Sequence, residues 1–417
     1  MPKRKTDLFV PTGPAITFSQ SNQKWNILEG VTVASGDSTA VFSDIFNGVI
    51  LINKGTLLGS TEAGANAGFA VFSSDKPTIE NRETGYMSGH VGVLISQSVS
   101  AYLLNEGEIF GALNGIDAVQ ASGLTIENHG EVTGIRSAVS MTNVALASTL
   151  IENYGTMSAK QETIFVQASN ATAEIKNKAS GLIENTGDGP AIVVTVGALK
   201  LNNKGTIIGG IDAGPNNANH DITNLGQISA KGDKEAISTG EGNDTVTNEG
   251  TMTTDVAKTV VFTGGGNDTV INEGTVDGGL NLSDGDDVYK NKGGKVDGRI
   301  DPGEGMDKLV LGNSKDKIDF NNTLGATNTN RVKNFETGKD KFFLEEAIFT
   351  GLTLGTLQQS EFTRGTEAKG PGPQLIYDKP NGLVWFDDDG AGGNGQVLFL
   401  ELDDDTALKH DDFTVYA

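Results

Sequence analysis

Five aspartates stand in glycine-punctuated turns in the C-terminal half of this 417-residue chain. Asp244 follows Gly240 and Gly242, Asp268 follows Gly264 and Gly266, and Asp287 follows Gly285. Asp307 follows Gly303 and Gly305, and Asp316 comes nine residues later in the degenerate turn Gly312-Asn313-Ser314-Lys315. The first three each lie four residues before an asparagine: Asn248, Asn272 and Asn291. Constant phase puts their carboxylates in one column if the turns stack, and like charges about 5 Å apart repel unless a cation lies between them. Glycine turns expose backbone carbonyls and aspartate adds a carboxylate. That oxygen-rich set suits Ca²⁺, a hard ion that takes roughly six to eight oxygens. The competing reading is that Asp and Asn are ordinary turn formers. Asp255, Asp277 and Asp297 form a weaker second series, because they lack the glycine context.

A column requires a scaffold that repeats. Eleven asparagines recur at Asn53, Asn81, Asn105, Asn128, Asn153, Asn177, Asn203, Asn224, Asn248, Asn272 and Asn291, in steps of 19 to 28 residues. Two residues before each one stands an apolar or aromatic side chain, from Leu51 to Tyr289. A period of about 24 residues means a solenoid or array, and alternation around each Asn without a helical period says the units are strands. Propeller blades of about 40–50 residues do not match. The spacing predicts an all-β fold: a right-handed parallel β-helix, one repeat per coil, with the Asn side chains bonding up and down the stack. Eleven coils at about 4.8 Å would make a rod about 50 Å long. Gly two residues after Asn is expected to permit a sharp corner. At the aspartate phase the earlier coils carry Val49, Pro77, Ala101, Leu124, Thr149, Ala173, Leu199 and His220. Those coils are therefore expected to be metal-free and held by apolar stacking.

The turns Thr239-Gly240-Glu241-Gly242-Asn243-Asp244-Thr245-Val246 and Thr263-Gly264-Gly265-Gly266-Asn267-Asp268-Thr269-Val270 resemble the hemolysin-type (RTX) calcium nonapeptide. Ser283 replaces a Gly in the third copy. The resemblance implies that the glycine-rich coils form a calcium β-roll continuous with the β-helix. The stretch Phe335-Glu-Thr-Gly338-Lys-Asp340-Lys-Phe342 and the terminal Asp411-Asp412-Phe413-Thr414-Val415-Tyr416-Ala417 are similar to the C-terminal region of serralysin-type, type I secreted proteins. That likeness implies an uncleaved C-terminal export signal and the type I secretion machinery as a partner. Asp387 and Asp389 are a further possible calcium turn in this region. The resemblance spans about residues 239–417 and brings no catalytic domain.

Composition narrows the rest. Net charge is −23, with 54 acidic and 31 basic side chains, which disfavours nucleic acid. Residues 231–417 hold 34 of the acids and 18 of the bases. No run of about 18 apolar residues exists to cross a bilayer, and no apolar segment follows the basic start to make a cleaved signal. Zero Cys excludes disulfides and thiolate chemistry. H-E-x-x-H and G-x-S-x-G are absent, and His90, His129, His220 and His410 are scattered and read as surface or turn residues. The expected organisation is an N-terminal cap over 1–35, metal-free β-helix over 36–238, calcium coils over 239–325 and a β-rich C-terminal cap with the export signal over 326–417. The expected function is a secreted, calcium-binding protein with a structural or adhesive role at a bacterial surface or matrix, contacting surface polysaccharide or further copies of itself. The alternative is a carbohydrate-active β-helix enzyme, a lyase or epimerase, with a calcium-dependent export module.

Overall fold

A computed structural model describes residues 2–64, 66–145, 148–214, 216–255, 259–393 and 395–417. The fold is all-β, 52% strand and 2% helix. The chain divides into two units, Met1–Ala236 and Ile237–Ala417. Both are parallel β-solenoids with about 24 residues per turn, about 14 turns between them. Among the described residues no helix is long and apolar enough to cross a membrane.

In the N-terminal unit the strand Ile50–Asn53 pairs in parallel with Thr78–Asn81, then Tyr102–Asn105, Thr125–Asn128 and Thr149–Asn153, with asparagine opposite asparagine throughout. Alternation decides which face is buried: Leu51, Ile79, Leu103, Ile126, Ile151, Ile175, Leu201 and Ile222 are all at most 1% exposed. The asparagines are buried as well, and each satisfies the next. Nδ2 of Asn53, Asn81, Asn105, Asn128, Asn153, Asn177 and Asn203 donates to Oδ1 of the following member at 2.8–2.9 Å. A buried amide left unpaired would be costly, so the ladder both requires and enforces register. The glycine two residues on is needed for close approach rather than for an unusual φ. A Cβ on Gly130 would lie 2.0 Å from the Gly107 carbonyl oxygen one coil below.

Two more strand columns complete each coil. In the third, Val93, Ile116, Val139, Ile164 and Ile192 point into the core, and Leu94, Asp117, Ser140 and Phe165 take the alternate, outward positions. The segment expected as an N-terminal cap already has solenoid pairing. Lys3–Arg4, Leu8–Val10 and Ile16–Thr17 pair in parallel with strands one coil on.

In the C-terminal unit Thr245–Asn248 pairs in parallel with Thr269–Asn272, then Val288–Asn291, Lys308–Val310 and Asn330–Lys333. Parallel pairing therefore runs past residue 325, into the stretch expected as a cap. It continues as Val397–Leu402 on Asn330–Lys333 and Phe413–Tyr416 on Lys341–Glu345. Gln374–Asp378, Leu383–Asp387 and Val397–Leu402 add antiparallel pairs. An aromatic core holds this end, with Phe342 stacked on Phe335 at 4.5 Å and on Phe413 at 5.3 Å. The acidic doublet near the terminus is part of this packing: Asp412 is buried and accepts the Gly338 and Lys409 N–H groups.

Candidate metal centre

The glycine turns stack as their phase predicts. Glu241, Gly265, Asp284 and Glu304 are successive bridge partners across four coils. On either side run two columns, Gly240, Gly264, Ser283, Gly303 and Gly242, Gly266, Gly285, Gly305. All eight residues have positive φ, from 69° at Ser283 to 149° at Gly285. Glycine holds this conformation without strain. Ser283 holds it only because the coils above and below impose it. Close approach excludes a side chain too: a Cβ on Gly266 would sit 2.0 Å from the Gly242 carbonyl oxygen, and one on Gly305 would sit 1.8 Å from that of Gly285.

Each turn delivers its aspartate to one buried column. The Asp244 N–H donates to Oδ1 of Asp268 at 2.7 Å, and the Asp268 N–H donates to Oδ1 of Asp287 at 2.6 Å. The Asp287 N–H donates to Oδ1 of Asp307 at 2.8 Å, and the Asp307 N–H donates to Oδ1 of Asn330 at 3.0 Å. Asp244, Asp268, Asp287 and Asp307 are each 1% exposed. One oxygen of each carboxylate from Asp268 to Asp307 is thus fixed by the coil before it. The other oxygen, Oδ2 of Asp268, Asp287 and Asp307, is buried with no hydrogen-bond partner.

Burial raises the pKa values accordingly. Asp268 is pushed up to about 7, Asp287 to about 8 and Asp307 to about 7, because desolvation outweighs the N–H bonds and neighbouring acids add repulsion. Asp244 and Glu241 repel Asp268, Asp268 and Asp307 repel Asp287, and Asp286 and Asp301 repel Asp307. Three orphaned carboxylate oxygens repeated coil on coil are a donor set that a hard cation would satisfy. Asn330, which closes the column, was not legible in the sequence, because its turn carries no glycine motif.

Asp316 is not in this column. Its Oδ1 accepts from Ser314 Oγ at 2.8 Å and from Asn291 Nδ2 at 3.2 Å, and its Oδ2 accepts the Gly312 N–H at 3.3 Å. Its own N–H donates to Oδ1 of Asp340 at 3.0 Å. Nine residues after Asp307, the chain has turned onto the next strand column, where Ile318 pairs with Phe342. Asp316 therefore receives the end of the asparagine series, with both oxygens occupied. In the weaker second series Asp277 is opposite Thr253 rather than Asp255, and Asp255, Asp277 and Asp297 are all exposed.

Oxygens of Asp387, Asp388 and Asp389 lie within 4.8 Å of one another. Oδ1 of Asp387 accepts the Asp389 and Gly390 N–H groups, which is what an acidic turn does for itself. The histidine expectation fails at His220, which is 2% exposed. Its Nδ1 accepts the Leu199 N–H at 3.0 Å, and burial lowers it to about 4, so it stays neutral. A neutral imidazole there fills the aspartate phase and bonds the coil before it. His129, by contrast, lies outside, stacked on Tyr154 at 4.3 Å and bonded to Glu127 at 2.8 Å. Compared with known proteins, the chain matches no family model and no curated sequence.

Proposed function

We propose that this chain is a secreted calcium-binding β-solenoid whose C-terminal unit folds around Ca²⁺, and that it serves a structural or adhesive role at a bacterial surface or matrix. The observation that carries the reading is the column Asp268, Asp287 and Asp307, with one oxygen of each fixed and the other buried without a partner. Asp268, Asp287 and Asp307, with the glycine turns between Gly240 and Gly305, would hold the ion, and Ca²⁺ would supply charge neutralisation rather than chemistry. Spacing favours calcium. Carboxylates repeated one coil apart, about 4.8 Å, would suit a large ion that takes roughly six to eight oxygens better than Mg²⁺, which demands a tight octahedron.

The same chemistry supports the proposed localisation. With 34 acids and 18 bases over residues 231–417, repulsion opposes compaction until a cation binds, and binding energy then becomes folding energy. Low internal calcium would keep the chain threadable through the type I machinery, and calcium outside would lock it. Circular dichroism during a calcium titration tests this: β signal should rise with calcium, and an unchanged spectrum with chelator present refutes it. Export is tested by deleting residues 358–417, which should strand the chain inside the cell.

A further inference from the structure

The N-terminal unit carries its own set of unsatisfied oxygens. Where the second strand column bends into the third, Asn114 stands opposite Ser137. Val139 pairs with Ile164, which brings Glu162 to the same position one coil further on. The Glu162 N–H donates to the Arg136 carbonyl at 3.3 Å, consistent with that register. Asn114 is 2% exposed and Ser137 is fully buried. Oδ1 of Asn114, Oγ of Ser137 and Oε2 of Glu162 are all buried with no hydrogen-bond partner. Buried polar atoms without partners are few in folded proteins, and three in consecutive coils call for a physical cause.

These corner side chains face the same way as the outward row of the third column. The residues before Asn114 at the corner, Ala67 and Val91, pack in an apolar cluster with Leu94 and Phe42 of that row and with Phe72 two residues further on. Asp117 belongs to the row as well. It stands opposite Ser140, and the Ser140 and Asn114 side chains are near enough to favour its charged form. The Arg136 guanidinium also favours the charged carboxyl, and it is drawn over the Phe165 ring at 5.7 Å.

We propose that Asn114, Asp117, Ser137, Ser140 and Glu162 form a calcium site in the N-terminal unit, in coils whose turns contain no glycine-aspartate motif. The donors are one amide carbonyl, two hydroxyls and two carboxylates. All are hard oxygens, and no thiol or imidazole that would select a softer metal stands among the five. They come from three successive coils about 4.8 Å apart. The competing occupant is a buried water, which would bond the same atoms without binding metal.

Calcium counting by equilibrium dialysis on the full chain separates these. The double variant Asp117→Asn, Glu162→Gln should bind one ion fewer than the parent and keep the calcium-induced rise in β signal. The triple variant Asp268→Asn, Asp287→Asn, Asp307→Asn should lose that rise but keep one ion. An unchanged count in the double variant overturns the N-terminal site and leaves water as its occupant. An unchanged count in the triple variant instead overturns the C-terminal column, so the two readings fail separately. Should the double variant misfold, Ser137→Ala removes a single ligand. It should weaken the one ion several-fold, and parent affinity there would equally overturn the site.

Discussion

The backbone N–H of Asp268 donates to Oδ1 of Asp287, 2.6 Å away and one coil on. This bond orients the carboxylate without neutralising it. Repeated at Asp244 and Asp287, it builds a column in which Asp268, Asp287 and Asp307 each serve as acceptor for the coil before and leave a second oxygen for something else. An asparagine at the same position would keep the N–H bond and lose the charge.

That distinction is a prediction. Asp287→Asn should leave the coil register intact and make the calcium-free C-terminal unit more stable near pH 8, because a buried charge is removed while the acceptor stays. Calcium affinity should fall about tenfold or more, by analogy with losing one charged ligand. Thermal melts with chelator and a calcium titration read the two effects. A variant that binds calcium like the parent would show that Asp287 is no ligand. Asp316→Ala should change calcium affinity far less, since both its oxygens already have partners.

The column also sets a pH dependence. Folded Asp268, Asp287 and Asp307 titrate at about 7, 8 and 7, above the ~4 of an unfolded aspartate. The folded state then binds more protons than the unfolded one, so stability falls as pH rises. Without calcium, the contribution is full below about pH 4 and is lost progressively as pH climbs through 7 to 8. Urea melts with chelator at pH 5 and pH 8.5 should show the C-terminal unit weaker at the higher pH. With saturating calcium the order should reverse, because metal and protons compete for the same oxygens.

The asparagine ladder should be strongly sensitive in its middle. Asn128→Ala removes one acceptor of Asn105 Nδ2, which keeps the Gly107 and Glu131 carbonyls, and removes the donor to Asn153 Oδ1, leaving that buried oxygen unpaired. A loss of about 1–3 kcal/mol is expected for one orphaned buried oxygen. Denaturant unfolding measures it, and a loss below 1 kcal/mol would mean the ladder relaxes around the gap.

Ser283 gives the opposite sign. It holds φ 69° where the equivalent positions above and below are Gly264 and Gly303. Ser283→Gly should stabilise the unit by roughly 1 kcal/mol through relief of left-handed strain. The gain is read as a higher melting temperature with calcium bound, where the turn geometry is enforced.

Much of this was legible in the chain itself. The eleven asparagines and the apolar residue two before each are a one-dimensional record of a stacked fold, since every coil must repeat what its neighbour requires. Constant phase between Asp244 and Asn248, Asp268 and Asn272, and Asp287 and Asn291 was enough to place three carboxylates in one column. Local sequence could not place Asp316, because nine residues of spacing do not reveal where the chain turns onto the next strand column. Nor could it find Asn330, which reaches the column only through the 23-residue step from Asp307. His220 looked like a turn residue, yet it is buried by the coil that packs over it and bonds Leu199. The set Asn114, Ser137 and Glu162 shares no motif, and only the bend between strands, repeated coil on coil, brings three dissimilar side chains to one position. Periodicity is written in residue spacing, whereas burial and the absence of a hydrogen-bond partner arise only when neighbouring coils close around an atom.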